Sequence, residues 1–173
     1  MVDYEGVPSR DEDLTEERKR ANVIHLVFHD DERKYHEFCE TLRSEIPFGT
    51  EVVLRGSAVT GYRWKDGTPF DHHGPGTSDL DLTLVGDQAI HFFKLTGFYV
   101  PAIHSIPVSD KWPDIAPELI PLREKLMALV NRPVNIQASR DIVLHFRGDL
   151  LGQPYLVLIP KPDPSTPLGL ERE

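Results

Sequence analysis

Two carboxylates with a fixed spacing, Asp79 and Asp81, stand in the run Gly76-Thr-Ser-Asp-Leu-Asp-Leu-Thr-Leu-Val-Gly86. A strand alternates its side chains, so Asp79, Asp81 and Thr83 share one face while Leu80, Leu82 and Leu84 point to the other, into a core. At roughly 3.4 Å of rise per residue the two acids are about 7 Å apart along the strand. Their oxygens can converge on one divalent ion, or on two ions ~4 Å apart. Uncompensated charge on a core strand is costly, so paired acids there imply a positive species between them.

The complementary half lies upstream, in Thr50-Glu-Val-Val-Leu-Arg-Gly-Ser57. Gly56 lets the chain leave a strand sharply and approach a ligand closely. Ser57-Ala-Val-Thr-Gly61 can form one helical turn whose free N–H groups favour a phosphate. An anion cradle beside an acid pair that holds a metal suits phosphoryl or nucleotidyl transfer.

In Gly56-Ser57 and Ser78-Asp79-Leu80-Asp81 the chain resembles the nucleotidyltransferase superfamily, which includes DNA polymerase beta, the CCA-adding enzymes and small stand-alone bacterial transferases. The resemblance is carried by residues 50–86 and, elsewhere, by element order. It implies an α/β (α+β) nucleotidyltransferase-like fold, a mixed sheet of about four to five strands with helices packed on it in a single domain. It also implies a nucleoside triphosphate bound at Gly56, Ser57 and Ser78, and Mg²⁺ (or Mn²⁺) held by Asp79 and Asp81 as the catalytic pair. A nucleoside monophosphate then passes to an acceptor hydroxyl. Active members often carry a third carboxylate on a neighbouring strand. Here the position between Val134 and Ile136 is Asn135, an amide that cannot serve as a base. Asp141 is the nearest replacement, sharing the parity of Asn135 only if the strand extends that far, and Asp149 is a weaker one. Arg140, directly after the strand, is the best placed of Arg55, Arg140 and Arg147 to meet phosphate, although each also reads as a surface arginine.

The elements that position these residues follow from periodicity. Residues 1–12 read as a disordered N-terminus, 13–160 as the domain and 161–173 as a flexible tail. Asp13 and Glu16 suggest a capped first helix running to Phe28, with Leu14, Ala21, Ile24 and Phe28 inward. Asp31 caps a second, with Tyr35, Phe38, Cys39, Leu42 and Ile46 on its stripe. Glu51–Arg55 is a strand. Twenty-one residues separate Ser57 from Asp79, more than the family spacer. Within them, about 61–75 reads as an inserted hairpin with an Asp66-Gly67 turn. There Tyr62 or Trp64 can stack on a base and Arg63 or Lys65 can touch phosphate, or the aromatics simply pack the hairpin down. His72 and His73, adjacent on an extended segment, would point opposite ways. Asp87 is expected to cap a helix through Ile90, Phe93 and Leu95 to Gly97, followed by a long Pro-rich connection over 98–115. A helix over 116–131, a strand over Val134–Gln137, a helix from Ser139 carrying Ile142, Val143, Phe146 and Leu150, and a strand over 154–160 complete the chain.

Net charge is −9, from 28 acidic and 19 basic residues, which opposes unspecific grip on long nucleic acid. Residues 1–109 hold 11 Lys/Arg against 19 Asp/Glu, and 110–162 hold 7 against 6. A small-molecule or protein acceptor is therefore favoured over long RNA. No run of about 18 apolar residues exists and the start of the chain is acidic, so no membrane partner is expected. The single cysteine, Cys39, excludes an internal disulfide and reads as a buried thiol, consistent with the cytoplasm. Two further readings stay open. One is a weak or inactive nucleotide-binding or regulatory module of the same fold, part of a toxin–antitoxin-type pair; for the transferase itself the resemblance to small stand-alone members implies a helical partner protein. The other is a glycosyltransferase using Asp-x-Asp, for which the chain is short.

Overall fold

Glu51–Arg55 (β1) and Leu80–Val85 (β2) pair antiparallel at the centre of the molecule, with Arg55 opposite Asp81. The computed structural model describes residues 14–141, 153–163 and 165. Among them the sheet is mixed and six-stranded, in the order Phe98–Val100 (β3), His104–Ser105 (β4), Val134–Ser139 (β5), β2, β1 and Tyr155–Ile159 (β6). Val134–Ser139 (β5) lies parallel to β2, placing Asn135 beside Asp81. Tyr155–Ile159 (β6) closes the other edge against β1. These four strands match the apolar runs in the sequence. The alternation in β2 puts Leu80, Leu82 and Leu84 in the core, each at most 1% exposed.

The remaining two strands correct the expectation of four to five. Phe98–Val100 (β3) and His104–Ser105 (β4) lie inside the segment read as a Pro-rich connection. They extend the sheet beyond β5, and Val108 adds a bridge to Ile136. Strands of three and two residues leave almost no period to detect.

Two helices cover the core. Glu16–Phe28 (α1) is capped by Thr15, whose Oγ1 accepts from the Arg18 N–H; Asp13 lies outside the described residues. Ala21 is exposed, and the inward stripe is Lys19, Val23, Val27 and Phe28. Leu14 and Phe28 are buried and Ile24 packs against the core as expected, and the buried Lys19 stem, its ammonium paired with Glu16, joins that face. Glu32–Glu45 (α2) is capped by Asp31 as expected and buries Tyr35, Phe38, Cys39 and Leu42. Burial pushes the Cys39 thiol up and the Tyr35 phenol up to about 12.

Ser57–Thr60 (α3) is the single helical turn after Gly56. Asn22 of α1 donates to the Val59 carbonyl at 2.8 Å and ties that turn to the helix layer. Asp87–Ile90 (α4) is shorter than expected: Leu95 is 94% exposed, while Phe93 is buried. Ile120–Val130 (α5) follows a 3₁₀ turn at Pro117–Leu119 and buries Leu122 and Leu126. Ser139 ends β5 where a helix start was expected. The helix read there, with Arg147 and Asp149, falls mostly on residues 142–152, outside the described residues. No helix among the described residues is long and apolar enough to cross a membrane.

Candidate functional site

The antiparallel β1–β2 and parallel β2–β5 registers set Arg55, Asp81 and Asn135 in one row across three strands. Residues opposite one another in a sheet share a face, so all three project from the face away from Leu80 and Leu82. Asp79, one residue before β2, reaches the same spot: the Asn135 Nδ2 donates to Asp79 Oδ2 at 2.7 Å and to Asp81 Oδ1 at 3.0 Å. The two acids and the position of the sought third carboxylate therefore meet at a single amide group.

The ends of the strands that carry these groups are pinned. The Leu80 N–H donates to the Pro133 carbonyl at 2.9 Å. Arg123 of α5 donates from Nε to the Val134 carbonyl at 2.7 Å and from Nη2 to Asp110 Oδ1 at 2.6 Å. Asn135 is thus fixed one residue beyond a backbone group held by a buried arginine.

Burial raises the pKa of Asp81, and the charge of Asp79 raises it further; the Arg55 guanidinium and the Asn135 amide act in the opposite direction. Among the described residues, Arg55 makes one long hydrogen bond, Nη2 to Gln137 Oε1 at 3.4 Å, and its buried Nε finds no hydrogen-bond partner. The pair of acids is incompletely compensated by protein, and its hard oxygen donors suit Mg²⁺ or Mn²⁺. Among the described residues no three His, Cys, Asp or Glu side chains gather as a metal-binding group. A cation here would take Asp79 and Asp81 and complete its sphere with water and a ligand's oxygens, the usual habit of Mg²⁺. The donor set fits such an ion.

Gly56 has φ +96° and ψ −166°, a conformation open essentially to glycine alone. A Cβ at this position would stand 3.4 Å from Asp81 Oδ2. The backbone just past the end of β1 therefore passes directly against the carboxylate. Gly56, Ser57, Ser78, Asp79 and Asp81 all line one cleft of about 650 Å³, within the usual range for small-ligand sites.

The far wall is the segment expected as a hairpin. It forms a tight turn rather than paired strands: Tyr62 bridges Pro69, the Arg63 N–H donates to the Thr68 carbonyl at 2.6 Å, and Asp66 accepts from the Thr68 N–H at 3.0 Å. Trp64, Lys65 and Arg63 line the cleft from this side. His72 and His73 line it too, their rings in edge contact at 5.1 Å. They do not diverge as an extended segment would require, because Asp71 has φ +55° and the chain turns there.

Sequence reasoning missed the clamp that holds this loop. Arg132, only 6% exposed, forks onto Asp71 with Nη1 to Oδ1 at 2.9 Å and Nη2 to Oδ2 at 3.1 Å, and Nη1 also donates to the Ser78 carbonyl at 2.9 Å. Asp71 accepts from the Ser78 N–H at 2.9 Å, and Ser78 Oγ accepts from the Asp71 N–H at 2.8 Å. Ser78 therefore has a structural task beside its place in the cleft. The Arg132 guanidinium lies 4.5 Å over the Phe70 ring. The only hint in the sequence was an arginine ahead of a proline; nothing in it links positions 71 and 132.

Arg140 and Asp141 are not brought to the acids. β5 runs away from Asn135, and Arg140, exposed beyond its far end, pairs with Asp87 at 3.1 Å. The Asp141 carbonyl accepts from Ser139 Oγ at 3.0 Å at that same end. Five residues of strand, about 17 Å, separate Arg140 from Asn135.

No family model, curated protein or solved structure matches this chain.

Proposed function

We propose that the cleft binds a nucleoside triphosphate with Mg²⁺ and that the chain is a nucleotidyltransferase, passing a nucleoside monophosphate to an acceptor hydroxyl. The observation that supports this reading is the meeting of Asp79 and Asp81 at one point against the Gly56 backbone. When bound, Mg²⁺ supplies charge neutralisation at the phosphates. Asp79 and Asp81 would hold it. Gly56 leaves room for phosphate oxygens beside Asp81, and Ser57 offers a hydroxyl on the same wall. Arg55 stands in the row with Asp81 to meet negative charge on the leaving group. Catalysis of this kind rests on positioning and electrostatics more than on many reacting side chains.

A second reading, a nucleotide-binding module without turnover, is favoured by Asn135. It occupies the third position, grips both acids and takes up no proton at neutral pH. Calorimetric titration with ATP and Mg²⁺, run beside a pyrophosphate-release assay over a panel of hydroxyl acceptors, separates the two. Transfer predicts binding and release; the module predicts binding alone. Asp79→Ala and Asp81→Ala should each remove Mg²⁺-dependent binding while circular dichroism stays unchanged. Binding that survives both changes refutes the site.

A further inference from the structure

We infer that Trp64 is the platform on which the cleft receives the base of its ligand, so that the site selects a nucleoside polyphosphate over a bare polyphosphate. This rests on the nucleotide reading above and adds the means of recognition. In a chain of net charge −9, the cleft lining reverses the sign, with Arg55, Arg63 and Lys65 against Asp79 and Asp81. A divalent cation between the two acids would leave the lining strongly positive, complementary to a triphosphate. Charge alone would accept inorganic tripolyphosphate as readily.

The turn that carries Trp64 supplies the missing discrimination. Trp64 lines the cleft, half-buried, and its indole is stacked along Tyr62 with ring centroids 6.4 Å apart and planes 16° from parallel. Tyr62 in turn is pinned by the bridge to Pro69, and the Thr60 hydroxyl donates to its carbonyl at 2.6 Å. An indole braced on an adjacent ring is a pre-ordered surface, and a base laid against it gains stacking at little ordering cost. The next residue, Lys65, has no ion-pair partner among the described residues, whereas Arg63 is paired with Asp66 at 3.3 Å. Trp64 and Lys65 both line the cleft and so offer a stacking face and a cation to one ligand.

The test uses the full chain with Mg²⁺ and two probes, ATP and inorganic tripolyphosphate. In a Trp112→Phe background, Trp64 is the only tryptophan. ATP should quench its emission and tripolyphosphate should not. By calorimetry, Trp64→Leu should weaken ATP about tenfold, the scale of one base–aromatic stack, and leave tripolyphosphate unchanged. Trp64→Phe should restore most of the loss, and Lys65→Ala should weaken both probes alike. Equal affinity of the wild type for both probes overturns the inference and spares the phosphate site. So does a Trp64→Leu protein that binds ATP as tightly as wild type, or loses both probes equally. Failure of the wild type to bind either probe overturns the nucleotide reading and this inference with it.

Discussion

Arg132 grips Asp71 through two parallel charge-assisted hydrogen bonds across 61 residues of sequence. The fork closes a circuit, because Asp71 and Ser78 also exchange backbone and side-chain bonds. The segment carrying His72, His73 and Ser78 is thus stapled to the turn between α5 and β5, and Asp79 follows one residue later. Breaking the fork should loosen the approach to the acid pair. Arg132→Ala should cost about 1.5–3 kcal/mol, the range for hydrogen bonds to charged groups. Arg132→Lys should recover only part, since an ammonium cannot reproduce the planar fork. Urea unfolding measures both, and full stability of Arg132→Ala would show that the staple is ornamental.

The same pair sets an acid limb. Burial works to raise the pKa of Asp71, but the hydrogen bond from Arg132, the Ser78 and Gly76 N–H groups and the Arg132 charge outweigh it and bring it below the usual value of 3.8. In the unfolded chain the proton binds more readily, so stability rises with pH in this window. The contribution is complete above the unfolded value and is lost as pH falls through the lowered one. Asp71→Asn should therefore flatten the dependence of unfolding free energy on pH below about 4. An unchanged acid limb would place the titration elsewhere.

How much of this was visible beforehand depended on range. β1, β2, β5 and β6 are apolar runs cut by Gly or Pro and lie where the periodicity puts them, although β5 runs on to Ser139. Asp79, Asp81, Gly56 and Asn135 were legible because strand parity and element order alone bring them together. β3 and β4 were not, since their pairing energy comes from a neighbouring strand and not from their own composition. Arg140 follows Asn135 by five residues in sequence, yet the direction of β5 carries it away from the acids. The Arg132–Asp71 staple was invisible, as a contact between two loops leaves no period. In α1 the inward face also takes the stem of Lys19, which a count of apolar residues does not anticipate.

Asn135 makes a test of how the acids tolerate one another. Asn135→Asp would place a third carboxylate at the point where both acids now receive a hydrogen bond. With a chelator present, like charges in a half-buried site should lower the melting temperature. With Mn²⁺ present, the added oxygen ligand should raise it by more than Mn²⁺ raises the wild type, because a ligand bound only by the native state stabilises it by mass action. Asp81→Asn should do the reverse. Removing the charge that burial and Asp79 disfavour should stabilise the metal-free protein at neutral pH and abolish the response to Mn²⁺. Thermal scans with and without the ion decide. A larger Mn²⁺ response in Asp81→Asn than in Asn135→Asp would put the cation elsewhere.

Gly56 joins fold and site in one residue, and its replacement separates the two roles. With φ +96° and ψ −166°, Gly56→Ala forces an L side chain into a region that costs about 1–3 kcal/mol. The new methyl would also lie 3.4 Å from Asp81 Oδ2, an ordinary contact distance. The stability loss should therefore come from the backbone and not from a clash, and the same methyl would crowd the side of the carboxylate that a ligand's oxygens must approach. Gly56→Ala should unfold at lower urea with an unchanged slope, and at temperatures where it remains folded it should bind Mg²⁺–ATP more weakly. Gly61→Ala is the control, because Gly61 has φ +88° and nothing within 4 Å of its added Cβ. It should lose stability for the same backbone reason while keeping ligand affinity. Equal loss of affinity in both variants would mean that strain alone disables the cleft and that the Gly56–Asp81 approach has no part in binding.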